Sequence, residues 1–172
     1  MVKRIIGGFF LSLILLWLFA PKQELYYLLE KKLKEQDIII SNETLKDTWY
    51  GLNISNADIY VKGVKTAHSA DLKLNIFFLY NTLQIDNLNI DDNIPNMGGQ
   101  GLEMFKATYS VMDPTHITMK GFGSFGSLDG YFTIMTQHIK ILFPMTKNIK
   151  SFKKFLKKDE KGVWKYESFN KK

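Results

Sequence analysis

There is no cysteine in the 172-residue chain, which excludes a disulfide framework, a thiolate metal site and a cysteine nucleophile. Histidine is nearly as scarce. His68, His116 and His138 are the three, and no two have the short spacing of a metal-binding pair, so each reads as an ordinary strand residue. Ser41, Ser69 and Ser110 sit in no GxSxG elbow. Gly121-Phe122-Gly123-Ser124-Phe125-Gly126 matches GxGxxG, a pattern that cradles pyrophosphate only where it opens a helix. Here SLDGYFTIM follows, which reads as a strand, and neither HRD nor DFG accompanies it as a kinase would require. The segment therefore reads as a glycine-eased hairpin with Phe122 and Phe125 packing. Asp91-Asp92 is compatible with a cation but reads more simply as an acidic turn. No catalytic, cofactor-binding or metal-binding residue is assigned, and the chain is expected not to be an enzyme.

Charge is missing from a second place. The net charge is +6, but the segment from Lys147 to Lys172 holds ten Lys against Asp159, Glu160 and Glu167. That surplus of seven leaves the rest of the chain near −1. The basicity belongs to the C-terminal tail and not to the fold, and nucleic acid is not expected as a partner.

What is present begins with Ile5–Ala20, IIGGFFLSLILLWLFA, a charge-free run preceded by Lys3 and Arg4. At about 1.5 Å per residue it is roughly 24 Å long, slightly short of a hydrocarbon core of about 30 Å. A cleavable signal peptide is the rival reading. Cleavage wants small residues at the end of the run, whereas Trp17 and Phe19 are bulky and Pro21 follows directly. Residues 1–20 therefore read as an uncleaved signal anchor and transmembrane helix, with Ile5, Phe9, Leu13, Leu16, Trp17 and Ala20 in the membrane. Lys3 and Arg4 would stay in the cytoplasm by the positive-inside tendency, leaving the remainder across the membrane.

Residues 21–172 read as one β-rich domain. Over 21–36, Leu25, Leu28, Leu29 and Leu33 recur at helical spacing; this amphipathic helix is expected to continue from the anchor and to lay its leucine stripe on the sheet. After it the period changes from 3.6 to 2 over 38–143, the span of the expected sheet. Leu52 and Ile54 alternate with polar residues, then Ala57, Ile59 and Val61 alternate in the opposite phase, so Ser55-Asn56 marks a bulge or a turn. Leu83–Ile90 slips in the same way at Asp86-Asn87, and Asp91–Gln100 is loop-like. The fold class is mainly β (α+β), an antiparallel curved sheet of about seven to eight strands. Leu72, Leu74, Ile76, Ile117, Met119, Phe132 and Ile134 are candidates for its apolar face. Such a face must either curl on itself or stay open as a groove. Residues 148–158 read as a short basic helix. Ile149, Phe152, Phe155 and Leu156 lie on one side, with Lys150, Lys153, Lys154, Lys157 and Lys158 around the other, suited to an anionic membrane surface or to capping the sheet.

The order of these features carries a resemblance. An apolar segment ending at Pro21-Lys22 is followed by the helix with Leu25-Tyr26-Tyr27-Leu28-Leu29. Then come Tyr50-Gly51-Leu52-Asn53-Ile54-Ser55-Asn56-Ala57, and a close from Ile139-Lys140-Ile141-Leu142-Phe143-Pro144 through Gly162-Val163-Trp164-Lys165-Tyr166. Together they resemble the type II secretion system protein N family, a branch of the AsmA-like group of membrane-anchored β-groove proteins. The resemblance implies a periplasmic domain held at the inner membrane of a diderm bacterium, with no catalytic residues. Two functions compete. One is a non-catalytic assembly component whose partners are envelope or secretion-system proteins. The other is a lipid-binding or lipid-transfer module whose apolar groove takes membrane lipids.

Overall fold

The computed structural model describes residues 2–18, 21–77, 79–94, 100–149 and 153–169. Two helices lead into one large antiparallel sheet. The first, α1 (Val2–Leu18), spans 17 residues, about 25 Å. Among the described residues no helix is long and apolar enough to cross a membrane, so helix length does not support the transmembrane reading of residues 1–20. Ile5 and Phe9 are exposed, as are Ile6, Leu11 and Leu15. Leu13, Leu16 and Trp17 lie within α1, and Ala20 lies outside the described residues. The helix α2 (Lys22–Lys34) does not run on from α1. Pro21 precedes it with ψ of 86°, outside the helical region, and a proline also disfavours helix in the residue before it.

α2 packs with a face shifted away from Leu28 and Leu29. Those two are exposed and Leu33 is half-buried, while Lys22 is buried and Tyr26, beside it in the helix, is only 3% accessible. Its ring packs with Leu52, Ile54 and Ala57, and its hydroxyl donates to Glu43 Oε1 at 3.3 Å. A tyrosine can fill an apolar site and reach a polar partner at its rim; a leucine at this place would leave Glu43 without that donor.

The strands are β1 (Ile38–Ser41), β2 (Thr44–Thr48), β3 (Gly51–Val61), β4 (Val64–Asn75), β5 (Tyr80–Ile90), β6 (Gly101–Ser110), β7 (Asp113–Gly123), β8 (Gly126–Thr133), β9 (His138–Phe143), β10 (Lys157–Lys158) and β11 (Trp164–Phe169). They form one 11-stranded sheet in the order β1-β3-β4-β5-β6-β7-β8-β9-β11-β10, with β2 also on β3. The count exceeds the expected seven or eight because the short pieces β1, β2, β10 and β11 all pair.

The two phase slips are left-handed asparagines inside unbroken strands. Asn56 (φ 57°) and Asn87 (φ 53°) are joined by Asn42 (φ 65°) between β1 and β2. Pairing passes over them in line. Ser55↔Asp71 is followed by Ala57↔Ser69, Ser69↔Leu88 by Asp71↔Asp86, and Asp86↔Met104 by Leu88↔Leu102. β1 and β2 meet β3 in one register on either side of Asn42. A crease thus crosses the sheet from Asn42 through Asn56, Ala70 and Asn87 to Glu103. Ser69, 1% accessible, sits on it, with Oγ 3.3 Å from Asp71 O and 3.4 Å from Asp86 O. Its hydroxyl thereby offers a donor where the ladder is interrupted. Asparagine visits the left-handed region at less cost than other residues bearing a Cβ.

The basic helix expected over 148–158 does not form in the described part. Lys153–Phe155 is a single 3-10 turn, and Lys157 and Lys158 pair with Lys165 and Trp164 as β10. Lys150 and Phe152 lie outside the described residues. The physical reason is the burial of Leu156 beside Ile149, Phe125, Leu128 and Phe143, which holds the chain against the sheet and leaves β10 to extend its edge. Lys153 and Lys158 set their ammonium groups over the Trp164 ring, at 5.4 and 5.1 Å, while Phe155 and Lys154 are exposed. The segment caps the sheet.

Asn56 and Asn87 are both exposed, so substitutions there act through the backbone. Asn56→Val and Asn87→Val are expected to cost about 1–2 kcal/mol each, while Asn56→Gly stays within about 0.5 kcal/mol of the parent. Urea denaturation measures this, and valine variants as stable as the parent would show that the crease does not require left-handed backbone.

Candidate functional site

Residues directly opposite in an antiparallel ladder share a face, so the register defines what lies beside what. One rung runs Leu52↔Leu74↔Leu83↔Ala107↔Met119↔Gly130↔Ile141↔Tyr166. A second runs Leu45↔Ile54↔Leu72↔Ile85↔Phe105↔Gly121↔Leu128. A third, nearer the β6–β7 turn, runs Tyr109↔Ile117↔Phe132↔Ile139. The intervening rungs are polar, such as Asn53↔Lys73↔Gln84↔Lys106↔Lys120↔Asp129. One face of the sheet is therefore apolar from β2 to β11.

The crease keeps it so. Leu83 and Ile85 are an odd number of positions from Leu88 and Ile90, and a regular strand would turn the second pair to the polar face. The left-handed Asn87 absorbs the odd residue. Leu88 and Leu102, opposite each other, join Ile90, Phe125, Leu128 and Phe143 around a cavity of about 200 Å³, completed by Gln100 and Gly101.

Among the described residues, cover over this face is confined to its two ends. α2 lies over the β1–β3 end through Tyr26. Ile149, Leu156 and Phe125 lie over the other, against Phe143, Leu128, Trp164 and Tyr166. Leu83, Ile85, Ala107, Met119, Ile117 and Phe132 belong to neither buried cluster and stay half-buried. Among the candidates from the sequence, Leu72, Leu74, Ile117, Met119 and Phe132 share this face by register. Ile76 lies just past the end of β4, its N–H bonded to Tyr50 O at 2.8 Å. Ile134 lies in the β8–β9 turn and is exposed, because β8 ends at Thr133. Leu83, Ile85 and Ala107 belong to the same face, although their own alternation does not single them out. Their membership shows only through cross-strand partners.

Several titratable groups are held in structural contacts. Asp58 accepts from Lys65 Nζ at 2.8 Å and Asn42 Nδ2 at 2.9 Å, with His68 Nδ1 at 2.8 Å. These partners, Lys65 foremost, hold its carboxyl well below the usual carboxylate range. His116 Nδ1 lies 3.0 Å from Asp113 Oδ1. His138 Nε2 lies 3.1 Å from Glu167 Oε1 and its ring stacks on Phe169 at 4.0 Å. The glycine motif is the β7–β8 hairpin, with Gly123 opposite Gly126. Gly126 has φ of 107° and a Cβ there would run into Met145 O, so no other residue fits; no helix follows to hold an anion. Among the described residues no group of three or more His, Asp or Glu is placed to hold a metal ion.

Since the folded-state pKa of Asp58 is depressed, its contribution is fully present above about pH 4 and falls away at lower pH. Asp58→Ala is expected to lose about 2 kcal/mol at pH 7, with the gap to the parent narrowing as the pH drops below about 4. Denaturant midpoints across that range measure it, and a pH-independent gap would deny the ionised carboxylate its role.

No family model, no curated protein and no solved structure matches the chain; the resemblance to the type II secretion protein N family rests on the order of sequence features alone.

Proposed function

We propose that the protein is a non-catalytic, membrane-attached lipid-binding module of AsmA-like type, whose apolar sheet face takes acyl chains. The observation that carries this reading is the stretch of apolar face over β5–β7 that the described residues leave without cover between its two capped ends. A face of this extent exposed to water is unfavourable, at roughly 25 cal/mol per Å² of apolar surface, and such patches mark binding surfaces. The cavity of about 200 Å³ is smaller than the roughly 300–1,000 Å³ of a typical ligand pocket. It suits the end of an acyl chain whose remainder lies along the open rungs.

α1 supports attachment to a bilayer. Ile5, Ile6, Phe9, Leu11 and Leu15 are exposed together on it, with Lys3 and Arg4 at its start, a distribution stabilised by lipid more than by water. Its shortness against the bilayer is of a kind that local thinning accommodates. The resemblance would put the domain on the periplasmic side of an inner membrane. The assembly reading draws its support from the exposed Leu28 and Leu29 of α2 and from the outer edges of β1, β2 and β10, which have no further strand beside them among the described residues.

Native mass spectrometry of the detergent-purified protein distinguishes the two. Co-purified phospholipid is expected, reduced by about tenfold in the double variant Leu83→Gln, Met119→Gln, since each places a polar amide against the bound chain. A stable protein partner without lipid would overturn the lipid reading in favour of assembly.

A further inference from the structure

In an antiparallel meander alternate turns fall at the same end of the sheet. The β2–β3, β4–β5, β6–β7 and β8–β9 turns and the C-terminal end of β11 therefore share one end. The side chains displayed there are Trp49, Phe77, Leu79, Met112, Met135 and Phe169, all exposed, with Met112 91% and Met135 84% accessible. Residues 49–50, 76–77, 79, 111–112 and 134–137 include no charged side chain. The opposite end differs: Val64, Phe122 and Met145 are exposed there too, but among turns that hold Lys62, Asp91, Asp92, Lys147, Asp159, Glu160 and Lys161. A single exposed methionine at a turn needs no explanation. Four successive turns with large apolar tips on one end, and charged turns on the other, do.

The chain enters the domain at this same end. Gln23 Nε2 at the start of α2 donates to Asp47 Oδ2 at 3.1 Å, and Asp47 pairs with Leu52 at the β2–β3 turn. The end of α2 lies at the far side, where Lys62 N–H donates to Asp37 O at 2.8 Å. Leu18, the last residue of α1, is four positions from Lys22, a reach of at most about 14 Å. The C-terminal end of the exposed apolar helix therefore lies on the side of the exposed apolar tips.

We propose that the four hairpin tips and the end of β11 form a second membrane contact, seated in the headgroup and acyl boundary of the bilayer that α1 enters. This rests on the proposed attachment of α1 to lipid. The occupant is a bilayer because the turn residues combine Trp and Tyr with aliphatic side chains, the composition of an interfacial belt, with the charges of Asp47 and Asp113 at the flanking strand ends, and because the chain coming from α1 enters at this end. Seating also puts the uncovered part of the sheet face at the lipid. Ile117 and Phe132 lie close to the β6–β7 and β8–β9 turns, so an acyl chain reaches the face without crossing water.

The absence of native cysteine makes site-specific probes direct. Met112→Cys, Met135→Cys and, at the opposite end, Val64→Cys (Val64 55% accessible) would each carry an environment-sensitive fluorophore on the full chain. Each is mixed with uncharged phosphatidylcholine vesicles, and flotation of the vesicles reports attachment separately. Expected are flotation of all three, blue-shifted emission with quenching by brominated lipid at 112 and 135, and neither change at 64. Flotation with water-like emission at both tips would overturn the tip contact while leaving attachment by α1 intact. Blue-shifted tips without brominated-lipid quenching would indicate a protein contact and overturn it as well, and failure to float would overturn both proposals. Two tip variants guard against a local defect in either one.

Discussion

Everything distinctive about this molecule depends on keeping the ladder in register across the crease. Five neighbouring paths of backbone, from Asn42 to Glu103, interrupt their pairing along one line, and three of them do so with an asparagine of positive φ. The interruption costs backbone hydrogen bonds, which Ser69 Oγ offsets in part through its proximity to two carbonyls. What it achieves is parity. Without it Ile54 and Ala57, or Ile85 and Leu88, would fall on opposite faces, and neither buried cluster could be completed by both sides of the crease.

The two faces and the two ends are consequently unequal. One face carries polar rungs and links such as Lys73 Nζ to Asp86 Oδ2 at 3.3 Å. The other is apolar, capped at its ends by Tyr26 and by Leu156 with Ile149, and uncovered between by the described residues. The hairpin ends divide in the same sense, charged at one and apolar at the other. In our reading both asymmetries have one cause, a bilayer at the end where the chain enters. Asp58 is tied to Lys65 and His68 of the neighbouring strand, and Glu167 to His138 of the neighbouring strand and Lys165 of its own; these carboxylates work as struts.

Much of the sheet was legible in advance because alternation is local. Ala70, Leu72 and Leu74 declare a strand from their own spacing, and the slips at Asn56 and Asn87 declare a change of phase. Spacing left open whether those slips were bulges or turns, since a left-handed residue suits both. The helical segments were read less well. Leu28 and Leu29 have the spacing of a buried stripe, yet Tyr26 is buried, because its ring and hydroxyl together match the apolar patch and the Glu43 carboxylate. Residues 148–158 have the period of a helix, but burying Ile149 and Leu156 and pairing Lys157 and Lys158 outweigh the weak intrinsic preference of so short a segment.

By itself, the sequence determined the β character of the body, the apolar N-terminal run, the lack of cysteine chemistry and the residues of each strand that share a face. Each follows from composition or from a period of two, which neighbours in the chain reveal. Only the tertiary structure decided that separate half-apolar strands join into one face, that its cover stops at the two ends, and that the apolar turns gather where the chain enters. Those are relations between residues far apart in sequence, set by strand order and register, and no local period encodes them.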